Sequence, residues 1–301
     1  MKKRRHDHPH DAIHDDVSPS PVLLPRLGGV LLQVAGYSGC GLWMLLGLAL
    51  AIGIYPAGRG DALVPLAFGV VLVASGLVAA WMHSSWMPSW HGWQPGKGSR
   101  PTREALIALA TFLPMLAVAG LARGDNSFPV TRLAGATLAL CSLVSLIMTA
   151  HGEASRHAPG LDGRLASQLP LSRVVSATYA GGLWLWLCMA GQQGGDAPAA
   201  GAMPWIIGLL LLALLRGLVD GMRWQALLSL SPGHRPVLEL QPRRYVAAAL
   251  TYAVPCLGLL LAGFDDSQQL LAALATLGCM LGMGLELTLY HGALAALPDS
   301  R

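Results

Sequence analysis

The sequence predicts an all-α integral membrane protein with eight transmembrane helices, arranged as two four-helix bundles. Composition is the first observation: of 301 residues, 53% are hydrophobic and 12% are charged, where a soluble domain carries about 25% charged residues. The mean hydropathy of +0.51 is the second. The third is where the charges fall. Asp, Glu, Lys and Arg are absent from 27–58, 62–96, 105–122, 133–152, 174–195, 197–215, 245–264 and 267–285. At a rise of about 1.5 Å per residue, each window is long enough to cross roughly 30 Å of hydrocarbon as one helix. Eight spans take up about half of the chain, which excludes a sizeable soluble domain.

Two regions follow from this pattern, a polar flexible tail at 1–25 and an eight-helix transmembrane domain at 26–298. The tail joins a Lys-Lys-Arg-Arg run to His6, His8, His10, His14 and several Asp, with no apolar segment or small-residue cleavage site ahead of the first span. It reads as a solvated tail rather than a cleaved signal, its alternating histidines leaving metal chelation as the alternative. Helices are expected at about 28–54, 63–83, 104–122, 133–151, 174–191, 204–223, 245–263 and 268–291. Short turns at 55–62, 123–132, 192–203 and 264–267 alternate with loops of about twenty residues at 84–103, 152–173 and 224–244. Cys40, Cys141, Cys188, Cys256 and Cys279 all fall inside spans, without the close spacing of a zinc or iron-sulfur site.

The positive charges divide between the two faces as the loops do. Lys2, Lys3, Arg4, Arg5, Arg26, Lys97, Arg100, Arg103, Arg156, Arg164, Arg173, Arg223, Arg235, Arg243, Arg244 and Arg301 lie on the long-loop side, sixteen in all. Arg59, Arg123 and Arg132, three in all, lie on the other. This asymmetry is a positive-inside signal that places both termini in the cytoplasm. All ten histidines are also on the long-loop side, so a two-haem wire, which needs axial ligands near both faces, is excluded. One haem between two of His83, His151 and His291 stays open, beside their ordinary reading as hydrated interfacial groups.

The densest polar stretch runs from His83, Ser84 and Ser85 through Trp86, Pro88, Trp90, His91 and Trp93 to Arg100, Arg103 and Glu104. His83 closes the second span and Glu104 opens the third, so antiparallel neighbours bring an imidazole and a carboxylate to one membrane face. A quinol being oxidised loses two protons while its ring stays near lipid. That chemistry calls for a hydrogen-bonding His and a carboxylate with access to water. An interfacial tryptophan belt and an acid at a helix start are the structural alternative.

At these residues the sequence resembles the membrane anchor subunit of dimethyl sulfoxide reductase, the DmsC family. In that family the second span ends in a pattern like H-L-G-x-P-x-R-A-W, and the third opens some twenty residues later with S-R-E-[AI]-L. The counterparts here are the segment beginning at His83 and the run Ser99, Arg100, Pro101, Thr102, Arg103, Glu104, Ala105, Leu106. The chain length, the eight-span plan and the character of Gln33 to Gly47 extend the likeness loosely along the chain. Ser85 stands where the family has Gly, the proline is displaced by one at Pro88, and Ser89 occupies the place of the family's Arg.

The resemblance implies an anchor in the bacterial inner (cytoplasmic) membrane, without haem or metal of its own. Such an anchor oxidises menaquinol and passes electrons to an iron-sulfur subunit that serves a molybdopterin catalytic subunit. His83 and Glu104 match the family's quinol-site histidine and acid, with Ser85 and Arg103 beside them. The expected partners are those two subunits and the lipid membrane, with no nucleic acid. The family is described with its N-terminus outside, opposite to the charge count here, and basic loops that dock a partner would account for the difference.

Two charged positions lie within spans. Arg216 and Asp220 are four residues apart in the sixth, hence on one helix face, and read as a structural ion pair or a proton path. Glu286, one turn before Tyr290 in the eighth, reads as a second polar wall of a quinone pocket or as an interfacial acid. Pro114 and Pro255 interrupt the third and seventh spans at equivalent places in two four-helix halves. Such paired breaks keep a polytopic secondary transporter as the rival reading, alongside an anchor that has lost quinol chemistry.

Overall fold

The computed structural model describes residues 27–55, 60–82, 110–122, 128–157, 163–192, 203–230, 241–262 and 268–295. All the regular structure in them is helical. The elements are α1 (Leu27–Ile52), α2 (Leu63–Met82), α3 (Phe112–Leu121), α4 (Pro129–His157), α5 (Gly163–Gln192) and α6 (Met203–Leu230). They continue as α7 (Gln241–Ala248), a π-turn (Ala249–Ala253), α8 (Val254–Ala262) and α9 (Gln268–Ala295). Six segments are long and apolar enough to cross a membrane: α1, Pro129–His151 of α4, Gln168–Gln192 of α5, Met203–Ser229 of α6, Pro242–Ala262, and Gln268–Ala293 of α9. Leu63–Leu77 of α2 and α3 are shorter apolar helices.

Several helices run past the bounds that charge placement suggests. α4 begins at Pro129, ahead of Arg132, while α5 begins at Gly163 and α6 continues through Arg223 to Leu230. A charge limits how much of a helix sits in hydrocarbon but not how far the helix extends, and proline at a first helical position needs no N–H partner.

α1 is the centre of the bundle. Its most apolar window is 72% buried, against 33% for the corresponding windows of α6 and of Pro242–Ala262. It packs against α2, α4, α5 and α9. Lipid offers no hydrophobic drive toward association, so helices in it associate by close van der Waals packing, which small residues permit. α1 supplies them on several faces. A Cβ on Gly41 would collide with the Ala177 carbonyl of α5, and one on Gly181 with the Leu42 backbone. Gly47 and Gly135 give α1 and α4 the same backbone-to-backbone approach. Gly69 of α2 makes room for the Trp43 indole, whose Nε1 donates to the Leu66 carbonyl at 3.1 Å.

α1 stops at Gly53, whose φ of 81° places it in the left-handed region; the Ala49 carbonyl accepts from the Gly53 and Ile54 N–H groups, each at 3.0 Å. Just beyond, Tyr55 donates to Gln192 Oε1 at 3.1 Å, and Gln192 donates to the Asp61 carbonyl at 2.7 Å, tying this turn to the end of α5. The Gly60 N–H donates to the Ala122 carbonyl at 3.2 Å, so the start of α2 meets the end of α3 at the same face.

The α1–α5 contact sets a test. Gly181→Val forces the two backbones apart and is expected to lower both the yield of folded protein and its unfolding temperature. Gly208 of α6 has nothing within 4 Å of a built Cβ. Gly208→Ala should therefore leave stability unchanged or raise it by about 0.5–1 kcal/mol.

Candidate functional site

α6 carries its polarity inward. Ile207, Leu211, Leu214, Leu218 and Met222 form an exposed stripe, while Arg216 and Asp220 are 3% and 5% exposed on the opposite side. The stripe follows the helical period, so lipid takes one face and the protein interior the other. Arg216 lies roughly 20 Å along the helix from Met203 at about 1.5 Å per residue, near its middle. A guanidinium at that depth has to find its counter-charges in the protein.

It finds two. Arg216 Nε lies 3.2 Å from Asp220 Oδ2, one turn along the same helix. Its Nη2 donates to Glu286 Oε2 of α9 at 2.8 Å. Tyr252, in the π-turn, donates its hydroxyl to the same Asp220 Oδ2 at 2.5 Å. The Arg216 guanidinium also stands over the rings of Tyr252 and Tyr179, 5.4 Å and 6.0 Å from their centroids.

The π-turn that presents Tyr252 has a readable origin. Pro255 has no N–H to give the Thr251 carbonyl four residues back. Tyr179 of α5 supplies the missing donor, its hydroxyl lying 3.3 Å from that oxygen. The interrupted helix is thus held by one tyrosine and presents another to Asp220. π-Turns inside helices are frequent at functional sites. Pro114, by contrast, falls in the first turn of α3, where a proline costs the helix no internal bond.

From Arg216 the polar groups continue toward the long-loop side. The Arg223 guanidinium lies 3.3 Å from the Tyr290 ring centroid, and Tyr290 meets Trp224 edge to face at 5.9 Å. Arg244 of α7 stands 4.5 Å over the Trp224 ring. Adjoining the cluster from α1, the Tyr37 ring lies 4.9 Å from the Arg173 guanidinium of α5.

The sequence pattern placed Arg216 and Asp220 on one face, and the structure adds Glu286 to them. Glu286 is held by Arg216 across the bundle and is neither apart from the pair nor free at the interface. Sequence spacing does not join Tyr252, Arg223 and Tyr290 to this cluster. The one sequence signal for Tyr252 is Pro255 three residues later; α6 and α9 meet only through the fold. His83, Ser85, Arg103 and Glu104 lie outside the described residues. Among the described residues no group of three or more His, Cys, Asp or Glu is placed to hold a metal ion. His151 Nδ1 lies 3.1 Å from the Ile147 carbonyl of its own helix. Comparison with protein-family models and with curated proteins returns no match.

The ion cluster predicts a non-additive response. Arg216→Ala leaves two carboxylates without their guanidinium and should destabilise the fold by about 3–5 kcal/mol in a detergent unfolding titration. Combining Arg216→Met with Asp220→Leu and Glu286→Leu should recover most of that loss, since a buried ion network exchanged for apolar groups is often neutral. A triple variant no more stable than Arg216→Ala would show that the cluster is not the source.

Proposed function

We propose that this chain is the eight-span membrane anchor subunit of a dimethyl sulfoxide reductase-like molybdoenzyme complex in the bacterial inner membrane. In this reading α2 and α3 cross the membrane as well, giving two four-helix bundles with both termini in the cytoplasm. The anchor binds and oxidises menaquinol in anaerobic respiration, and its electrons pass to a docked iron-sulfur subunit. The stretch from His83 to Glu104 carries the reading, because it joins the family's quinol-site histidine and acid in order and at the expected spacing.

Two structural features support it. α2 ends at Met82, one residue before His83, and the start of α2 is hydrogen-bonded to the end of α3, which makes the two helices antiparallel neighbours. The second feature is the position of Asp220 and Glu286, both toward the long-loop side of their helices, the side on which His83 and Glu104 stand in the sequence plan. In the proposed chemistry His83 hydrogen-bonds one quinol hydroxyl, and Glu104 takes a proton from the ring as two electrons leave. Ser85 and Arg103 line the same pocket, and the missing family Arg at Ser89 removes a planar multi-donor group from it.

A polytopic secondary transporter is the second reading, favoured by the π-turn beside Pro255 and a charged cluster near the middle of α6. Copurification separates the two. An anchor brings iron and molybdenum with its partner subunits, whereas a transporter purifies without them and moves solute in proteoliposomes.

On the anchor reading, Glu104→Gln lowers quinol turnover by about 10²- to 10⁴-fold while assembly of the complex is kept, because the change removes a proton acceptor at nearly constant volume. His83→Ala weakens binding of a quinol analogue. Parent-like activity and analogue binding in both variants would refute the pocket. Charge reversal at Arg243, exposed at the start of α7, should release the partner from membranes, and reversal at Arg59 should not. Crosslinks chiefly to 55–62 or 192–203 would move the docking face to the other side.

A further inference from the structure

The cluster around Arg216 contains more negative than positive charge at contact distance. Asp220 and Glu286 both bind the one guanidinium, at 3.2 Å and 2.8 Å. Arg223 acts on both acids from beyond ion-pair distance while covering the Tyr290 ring, and Arg173 stands farther off over Tyr37. In a low-dielectric interior two carboxylates sharing one contacting guanidinium repel each other, and a bound proton on one of them removes that repulsion.

The two acids differ in how their anions are held. Asp220 Oδ2 accepts the Tyr252 hydroxyl at 2.5 Å and lies 3.2 Å from Arg216 Nε, an ion pair by distance. Glu286 receives Arg216 Nη2 on Oε2 and a further hydrogen bond from the Trp224 indole N–H, a donor nearer the long-loop side. A second observation points to a further ligand. Arg216, 3% exposed, has both its Nε and its Nη1 buried without a hydrogen-bond partner among the described residues, charged donors in the same cluster with room for another oxygen.

We propose that Glu286 is a proton-exchange site: its carboxyl binds one proton inside the bundle and gives it up toward the long-loop side. The groups set around it serve that role from each element. α6 presents Arg216, Asp220 and Arg223, the π-turn presents Tyr252, and α9 itself carries Cys279 and Tyr290. Tyr37 of α1, with Arg173 of α5 over its ring, and Tyr179 of α5, beside Arg216, close the inner side.

With the proton on, Arg216 and Asp220 form a one-to-one pair and Glu286 is neutral. When it leaves, Arg223, nearer the long-loop side, is the second positive charge facing two carboxylates. The step makes and breaks only O–H bonds, and the proton passes to water at that face. It stands whether or not the chain oxidises quinol.

Infrared spectroscopy of the full-length protein in lipid membranes, with the glutamate carboxyls labelled with ¹³C, tests this at mildly alkaline pH, where solvent-exposed carboxylates are ionised. The parent protein is expected to show a protonated-carboxyl C=O band that shifts with the glutamate label. Glu286→Gln should remove it. Asp220→Asn should remove it too, although Glu286 is still present, because one guanidinium then faces one carboxylate and the proton is no longer needed. A purely structural ion pair would not respond in this way.

Glu104→Gln should leave the band in place; its loss in that variant would assign the proton to the proposed quinol site and overturn the inference while sparing the anchor reading. Absence of a glutamate band in the parent protein, which requires no variant to fold, overturns the inference outright. So does a band that survives Glu286→Gln or Asp220→Asn.

Discussion

A guanidinium placed near the middle of a hydrocarbon-spanning helix cannot be left to solvent, and much of the second half of this fold follows from satisfying Arg216. Asp220 meets it within α6, but one partner leaves other N–H groups unsatisfied, so α9 has to bring Glu286 to the same point. Glu286 in turn sets the rotation of α9, and Tyr252 sets that of the α7–α8 segment. Three chain segments are thereby oriented by one side chain. The cost of burying charge is returned as specificity of arrangement, a trade found for some buried ionic groups. The apolar stripe on the outer face of α6 is the complement of the same requirement.

The first half of the chain is organised by a different force. Around α1 there is little charge to pair, and cohesion comes from how closely backbones approach. Gly41 against Ala177, Gly181 against Leu42, and Gly47 against Gly135 are contacts that no larger residue allows. The long central position of α1 follows from this. A helix with small residues on several faces can accept neighbours on several faces, and α2, α4, α5 and α9 occupy them. Leu42, Trp43, Leu46 and Leu50 fill the spaces between the glycines and are fully or almost fully buried.

Six membrane-crossing helices were legible in the sequence because hydrocarbon rejects charge, and this shows directly as gaps in Asp, Glu, Lys and Arg. Helix ends were less legible because charge marks the hydrocarbon boundary and not the end of the hydrogen-bonded helix, as α6 running past Arg223 to Leu230 illustrates. Arg216 and Asp220 could be paired from their four-residue spacing, a local rule. Glu286 could not be joined to them, since seventy residues separate it from Arg216 and only the packing of α9 brings it near. Pro255 announced an irregularity; which carbonyl it would free follows from counting back four residues, but that Tyr179 would satisfy it is a tertiary fact.

The arrangement is asymmetric across the bundle, and the asymmetry bears on what its polar groups can do. Toward the short turns the interior is filled by Leu46, Leu50, Leu138, Leu183 and Leu185, all buried and none able to carry a proton. That end is fastened by neutral hydrogen bonds from Tyr55 and Gln192. Toward the long loops the interior holds Asp220, Glu286, Arg223 and Tyr290 in succession. A group that exchanges protons with one face alone needs both halves of this design, a polar ladder on one side and an apolar barrier on the other. Without the barrier, an acid near the middle of the membrane would leak protons between the two faces; without the ladder, it would be a buried charge with no exit. The leucine-filled end and the Arg223–Tyr290 stack therefore belong to the same physical argument, although they are built from different helices.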